Sequence, residues 1–371
     1  GNYAFFKEVP SFDNVGYPIA EILEDGSFYI TKHPDTGGLV SKGTVTAQLL
    51  YEIGSPAYIN PDVISHFDTL KIEDIEKDRV YVSGCRGSSP PKDHKVCINL
   101  SGGFRNGMEV ILTGLNIEEK AEVFANALFN SVGGKNQFDE VSIQLHRTDK
   151  ENPSSNEEAM ASLVISVKSM DAELVGRLFS AKIIELALAN IPGFFAQGGV
   201  KSSGPVIVYW PALIDSKHIK EVVHINDQEI EIIPTSQMDF EDIYYQKEPI
   251  EIEEVEMKDE ETINFGDIYG TRSGDKGGCA NLGVWAKNSK SFAFLIRYLS
   301  VDKLKELLPD LRDFSIDRYE LANINSLNFY IHDILQDGVS SNNRKDGQAK
   351  SLGEYLRAKE IRVPKNLLED Q

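Results

Sequence analysis

The chain has 371 residues, with 38 Lys and Arg against 58 Asp and Glu, for a formal net charge of −20. That length exceeds one typical domain, and 18 Phe and 14 Tyr beside many aliphatic side chains supply cores large enough to outweigh chain entropy. Such acidity excludes a nucleic-acid partner, because counterion release needs Lys and Arg stripes, and no apolar run reaches the roughly 18–20 residues of a membrane span.

In chain order, residues 27–32 read as a strand entering His33-Pro34-Asp35-Thr36-Gly37-Gly38, a turn by its Pro, Asp and paired glycines. Thr44 is a fair N-cap for a helix over 45–53, whose Val45, Leu49, Leu50 and Ile53 recur at helical spacing before Gly54 and Pro56. Strands are expected at 79–83, 95–100 and 108–113, interrupted by Gly84–Pro91 and by Ser101-Gly102-Gly103. Strand 108–113, helix 117–132, strands 139–147 and 161–168, a helix from Asp171 to Asn190 and strand 205–210 then make a β-α-β-β-α-β order.

Residues 239–261 hold eleven acids against Lys247 and Lys258 and read as a solvated linker, with Ile250, Ile252 and Val255 alternating as an edge strand would. Beyond it come strand 262–269, a loop over Thr271–Gly278 and strand 280–286. A helical pattern at 290–308, strands 315–321 and 325–332, helix 347–358 and strand 360–363 repeat the earlier order once the leading strand is dropped. The expected class is α/β and α+β. A partial α/β region (1–106) precedes a split-βαβ domain (107–235), an acidic linker (236–261) and a ferredoxin-like domain (262–371).

Two stretches, Lys32–Gly38 and Arg272–Gly278, combine cations, a hydroxyl, a carboxylate and paired glycines. Glycines let backbone N–H groups converge on an anion, and in so acidic a chain a cationic glycine loop runs against the global field. Neither is a Walker or dinucleotide fingerprint. On this reading Lys32, Thr36, Gly37, Gly38, Arg272, Ser273, Lys276 and Gly277 bind a small anion, joined by Arg105 and Asn106 from a third glycine-bearing loop. The alternative is that both stretches are tight turns with surface cations. His33, Asp35 and Asp275 are the catalytic candidates, placed to move protons beside the anion. Asp346 or Asn343 reads as a cap for the last helix. The remaining histidines show no metal-ligand spacing, so no metal site is expected. Cys85, Cys97 and Cys279 are too few and too scattered for a disulfide framework, which points to a reducing compartment, cytoplasmic or mitochondrial matrix.

The run Ile30-Thr31-Lys32-His33-Pro34-Asp35-Thr36-Gly37-Gly38-Leu39-Val40, continued through Gly43 to Ile53, resembles the acyclic terpene utilisation (AtuA-like) family. The resemblance extends through Lys95–Asn99 and Gly102–Asn106, returns at Arg272–Gly278 with Ala280-Asn281, and ends at Gly347–Arg357. It implies a ferredoxin-like C-terminal module and a further N-terminal α/β region preceding the aromatic segment after Gly1, so that the chain is expected to be part of a longer protein. It also implies breakdown of branched acyl-CoA thioesters, with a hydratase or lyase activity on an anionic acyl-CoA or carboxylate. CoA enters as part of the substrate, and no other cofactor is evident. The rival expectation is a non-catalytic subunit of a larger carboxylase-type or mitochondrial complex. Expected partners are a small anionic substrate and either a second copy, an N-terminal fragment or another subunit.

Overall fold

Ser41 rather than Thr44 opens the first helix, α1 (Lys42–Leu49), because a capping box satisfies two end N–H groups at once. Ser41 Oγ accepts from the Thr44 N–H at 3.3 Å and Thr44 Oγ1 accepts from the Ser41 N–H at 2.9 Å. Around α1 lie β1 (Ile19–Ile22), β2 (Phe28–Thr31), β3 (Ala57–Ile59), β4 (Ile64–His66), β5 (Lys71–Glu76), β6 (Arg79–Ser83) and β7 (Arg86–Ser88). They form a sheet of order β1-β2-β6-β5 and a smaller one of order β3-β4-β7, with antiparallel pairing throughout. The computed structural model describes residues 3–233, 255 and 259–368.

These residues divide into two compact units, one comprising Gly1–Ile98, Pro211–Val339 and Asp346–Gln371, the other Asn99–Trp210 and Ser340–Lys345. Where two strands broken by Gly102-Gly103 were expected, a single strand β8 (Asp93–Thr113) runs through, and Gly103 takes a φ of +84° within it. A side chain at Gly103 would sit 2.6 Å from the Ser169 carbonyl oxygen, so glycine keeps the strand continuous there.

The Asn99–Trp210 unit continues with α2 (Ile117–Ser131), β9 (Glu140–His146), β10 (Met160–Ser169), α3 (Arg177–Leu186), β11 (Phe194–Gln197) and β12 (Gly204–Asp215). Its sheet runs β11-β8-β10-β9, the fourth-first-third-second order of a ferredoxin-like unit. The fourth strand is β11, not the expected 205–210 segment, which pairs with β8 as part of β12. The α2 stripe of Phe124 and Leu128 meets Phe179 and Ile183 of α3 over Val110, Leu163 and Ile165, each burial contributing about 1.5–3 kcal/mol. α3 starts six residues after Asp171 because that side chain accepts the Glu173 N–H at 2.9 Å and closes a turn of its own.

The chain resumes the first unit with the hairpin β13 (Val222–Ile225) and β14 (Gln228–Glu231). Most of the acidic 239–261 block lies outside the described residues. Its end opens β15 (Glu260–Asn264), followed by α4 (Phe265–Ile268), β16 (Tyr269–Lys276) and β17 (Cys279–Ala286). The expected 290–308 helix is two, α5 (Ser289–Tyr298) and α6 (Val301–Leu307), because Ser300 Oγ accepts the Lys303 N–H at 3.0 Å and starts a second helix. β18 (Ile316–Leu321), β19 (Ser326–Ile331), α7 (Leu352–Arg357) and β20 (Glu360–Pro364) complete it. Asp346 accepts the N–H groups of Lys350 and Ser351, each at 2.8 Å, just ahead of α7.

This second sheet has the order β16-β17-β19-β18, and β20 pairs with β15 instead. Strand alternation gives it two distinct faces. Ala280, Leu282, Val284, Leu327, Phe329 and Ile331 meet α5 and α7 in one core. The opposite face carries Cys279, Asn281, Gly283 and Trp285 of β17 with Asn328 and Tyr330 of β19. There Trp285 joins Ala47, Leu50, Ile53, Val80 and Val82 in a further core, which binds the N-terminal residues and the C-terminal sheet into one unit. Among the described residues no helix is long and apolar enough to cross a membrane.

Candidate functional site

The second face of the C-terminal sheet receives the segment that follows α1, and the contact is built from two fully buried asparagines. Asn281 donates to Leu50 O at 2.6 Å, accepts the Glu52 N–H at 2.8 Å and donates to Asn328 Oδ1 at 3.0 Å. Asn328 in turn donates to Gly54 O at 2.6 Å. The carbonyls that a helix end leaves unpaired are thus satisfied by sheet side chains. Gly283 permits the approach, since a Cβ there would lie 2.6 Å from Leu50 Cβ.

The clasp fixes Tyr51 and Glu52 above β16. The Arg272 guanidinium stacks on the Tyr51 ring at 3.9 Å, and Lys350 donates to Tyr51 Oη, to Glu52 and to Asp275 Oδ1, the last at 3.1 Å. Burial pulls the Lys350 ammonium down, but its hydrogen bonds to Glu52, Tyr51 and Asp275 outweigh that and hold it above the ordinary lysine range. Burial pushes the Glu52 carboxyl up, yet hydrogen bonds from Lys350 and Tyr51 keep it below the usual carboxylate value.

Beyond the clasp the same face opens into a cavity of about 690 Å³, large enough for a small-molecule substrate. Lys276 ends β16 at its edge, Tyr330 comes from β19, and Asp317 and Tyr319 share one face of β18, with Asp317 directly opposite Tyr330. Tyr58 and Asn60 follow the clasped segment, and Asp93, His94 and Lys95 enter from the start of β8. Burial lowers the Lys276 ammonium, and the neighbouring Lys95 charge lowers it further, against the opposing pull of Glu52 and Asp275. Burial and the adjacent Cys279 thiol raise the Tyr330 hydroxyl, and burial with Asp317 raises that of Tyr319, so both remain protonated donors at neutral pH. His332 Nε2 lies 2.8 Å from Asp317 Oδ2 and packs edge-on to the Tyr330 ring at 5.0 Å.

The two stretches singled out from the sequence do not share this cavity. Lys276 lines it, whereas Lys32, Gly37 and Gly38 line a separate cavity of about 250 Å³ among Val15, Phe28 and Ile30. Lys32 is occupied within its own turn, donating to Thr36 O at 2.6 Å and pairing with Asp78 at 3.7 Å, while the Thr36 hydroxyl donates to His33 O at 2.7 Å. His33 and Asp35 are exposed. The expected loop at 272–276 is strand, so Ser273 is buried and accepts the Gly353 N–H at 2.9 Å, and Asp275 is engaged by Lys350. Gly277 and Gly278 form the two-residue turn between Lys276 and Cys279, where a Cβ on Gly278 would collide with the Gln336 carbonyl oxygen. In the other unit, Arg105 donates to Asn342 O at 3.4 Å, and the buried Asn106 donates to Gly176 O at 3.1 Å and Lys201 O at 3.0 Å. Tyr58, Asp317, Tyr319 and Tyr330 escaped the sequence reading, and His94 and Lys95 were noted there without a place in a site. The visible signal was the alternation of polar and apolar residues in Cys279–Ala286 and Ser326–Ile331, which marks a sheet with a second occupied face. Among the described residues no three His, Cys, Asp or Glu side chains converge as a metal site.

A split-βαβ sheet sharing a core with an antiparallel N-terminal region, beside a cavity lined by lysines and tyrosines, defines an α+β protein with a ferredoxin-like C-terminal domain. The chain belongs to the acyclic terpene utilisation family AtuA: the family model matches residues 1–225, and that of the AtuA ferredoxin-like domain matches residues 263–362. No curated protein and no solved structure matches the chain.

Proposed function

We propose that this protein is an enzyme of acyclic terpenoid breakdown, a hydratase or lyase acting on an anionic acyl-CoA or carboxylate substrate in the cavity at Lys276. The observation that carries the reading is the placement of Lys276 and Lys95 at one cavity in a chain of net charge −20. Two cations there attract an anion against the field of the whole molecule. Ala57, Ile59, Ala212 and Leu213 offer apolar wall to a branched aliphatic chain. Tyr330 and Tyr319 donate hydrogen bonds to an oxygen that gains charge as water adds or a bond breaks, and Asp317, oriented by His332, serves as the base.

Thermal-shift titration with acyclic terpenoid acyl-CoA thioesters and the free acids, followed by turnover assays, tests this. A ligand at a hundredfold its Kd stabilises the fold by about 2.7 kcal/mol, and Lys95→Gln weakens that response. Absence of both stabilisation and turnover across the series overturns the proposal in favour of a non-catalytic subunit.

A further inference from the structure

Two lysines beside the C-terminal sheet, Lys276 at the end of β16 and Lys350 ahead of α7, differ in one respect. Lys350 is held by Tyr51, Glu52 and Asp275, whereas among the described residues none hydrogen-bonds or ion-pairs with the Lys276 ammonium. Its nearest aromatic face is Tyr58, with Nζ 5.8 Å from the ring centroid. The charged groups bearing on it are Lys95 from β8, Glu52 from the clasped segment and Asp275 from its own strand. A half-buried lysine with no hydrogen-bond or ion-pair partner among the described residues, beside a second cation and inside a cavity, has the surroundings of an amine held for addition to a carbonyl.

From this geometry we infer that Lys276 forms an iminium with a substrate bearing a ketone or aldehyde carbonyl together with an anionic group, that is, a branched aliphatic oxo acid. The inference rests on the cavity being the substrate site and specifies its lyase branch. Lys276 Nζ forms the new C–N bond. The carbonyl oxygen departs as water with two of the three ammonium protons, and the third stays on the iminium nitrogen with the positive charge. Lys95 pairs with the anionic group, and the Tyr330 hydroxyl supports the carbonyl oxygen as it leaves. The iminium then accepts the electron pair of a bond one carbon away, as in decarboxylation or retro-aldol cleavage, and becomes an enamine.

The test uses acetoacetate and 3-methylbutanal as probes, with sodium cyanoborohydride as the reductant that converts an iminium into a stable secondary amine, read by peptide mass spectrometry. The expected result is an adduct at Lys276 formed about tenfold or more faster than at exposed Lys77, because a bound carbonyl has a high effective concentration at the nitrogen. Lys276→Arg removes the adduct while circular dichroism confirms the fold. Labelling of Lys276 no faster than Lys77 overturns the inference. If in that case acetoacetate still raises the thermal midpoint of wild type but not of Lys95→Gln, the cavity remains the binding site and only the covalent step is lost. If acetoacetate and the acyl-CoA series all leave the midpoint unmoved, the site itself falls with it.

Discussion

Two sheets of ferredoxin-like order occur in this chain, and they differ in what fills the edge beside the first strand. In the β11-β8-β10-β9 sheet the edge is the strand after the second helix; in the β16-β17-β19-β18 sheet it is the strand before the first, because β20 is taken up by β15. The exchange decides which sheet borders a cavity. β11 brings Phe194 and Ala196 against a core, whereas the β16–β17 hairpin carries Lys276 to the sheet end on the face away from the helices. A strand order fixes a scaffold; the choice of edge strand and the use of the second face give one copy a cavity.

The largest expected difference between the two sheets is in turnover. Lys276→Ala lowers kcat by about 10²- to 10⁴-fold with little change in thermal midpoint, while Lys168→Met in the other sheet, which breaks only the pair with Glu140 at 2.6 Å, leaves kcat unchanged. Equal losses in a steady-state assay would erase the functional contrast. Next come the two buried asparagines. Asn281→Ala and Asn106→Ala each strand buried carbonyls and each cost about 1–3 kcal/mol in urea denaturation. Only Asn281→Ala also weakens acyl-ligand affinity, because it loosens the segment leading to Gly54 and Tyr58. The smallest effect is at the partly exposed Lys350, where Lys350→Met costs about 0–1 kcal/mol at pH 7. The Glu52 carboxyl lies below its ordinary value in the fold, so its contribution is complete above the ordinary carboxylate range. It fades as pH falls through the lowered value, and wild type and variant then converge in denaturation curves taken into the acid range.

Sequence pattern revealed what local physics determines. The 79–83 strand and the helix from 117 match the structure to within a residue, because alternation and 3.6-residue periodicity need only near neighbours. The C-terminal strands are similarly legible. Features set by distant partners were not. Gly277-Gly278 reads as an anion cradle when taken alone, yet two glycines between alternating runs are also a hairpin signal, and the hairpin governs the fold. Lys32 offers a charge in the sequence and gives it to Thr36 and Asp78 in the structure. The cavity draws on the segment after α1, the start of β8, the end of β12 and the strands β16, β18 and β19, so no window of sequence contains it.

The bond from Asn281 to Leu50 joins residues 231 positions apart, while the 99–210 unit folds almost entirely from one continuous stretch. Closing a loop of that span is entropically slow, and contacts of short separation form sooner. Because β8 and β12 pair with each other, folding of the inserted stretch brings the chain ends at 98 and 211 together and shortens the closure still to be made. Refolding is therefore expected to begin in the inserted stretch, which acts as a splint, and the cavity beside Lys276 is expected to be the last part of the molecule to come into being.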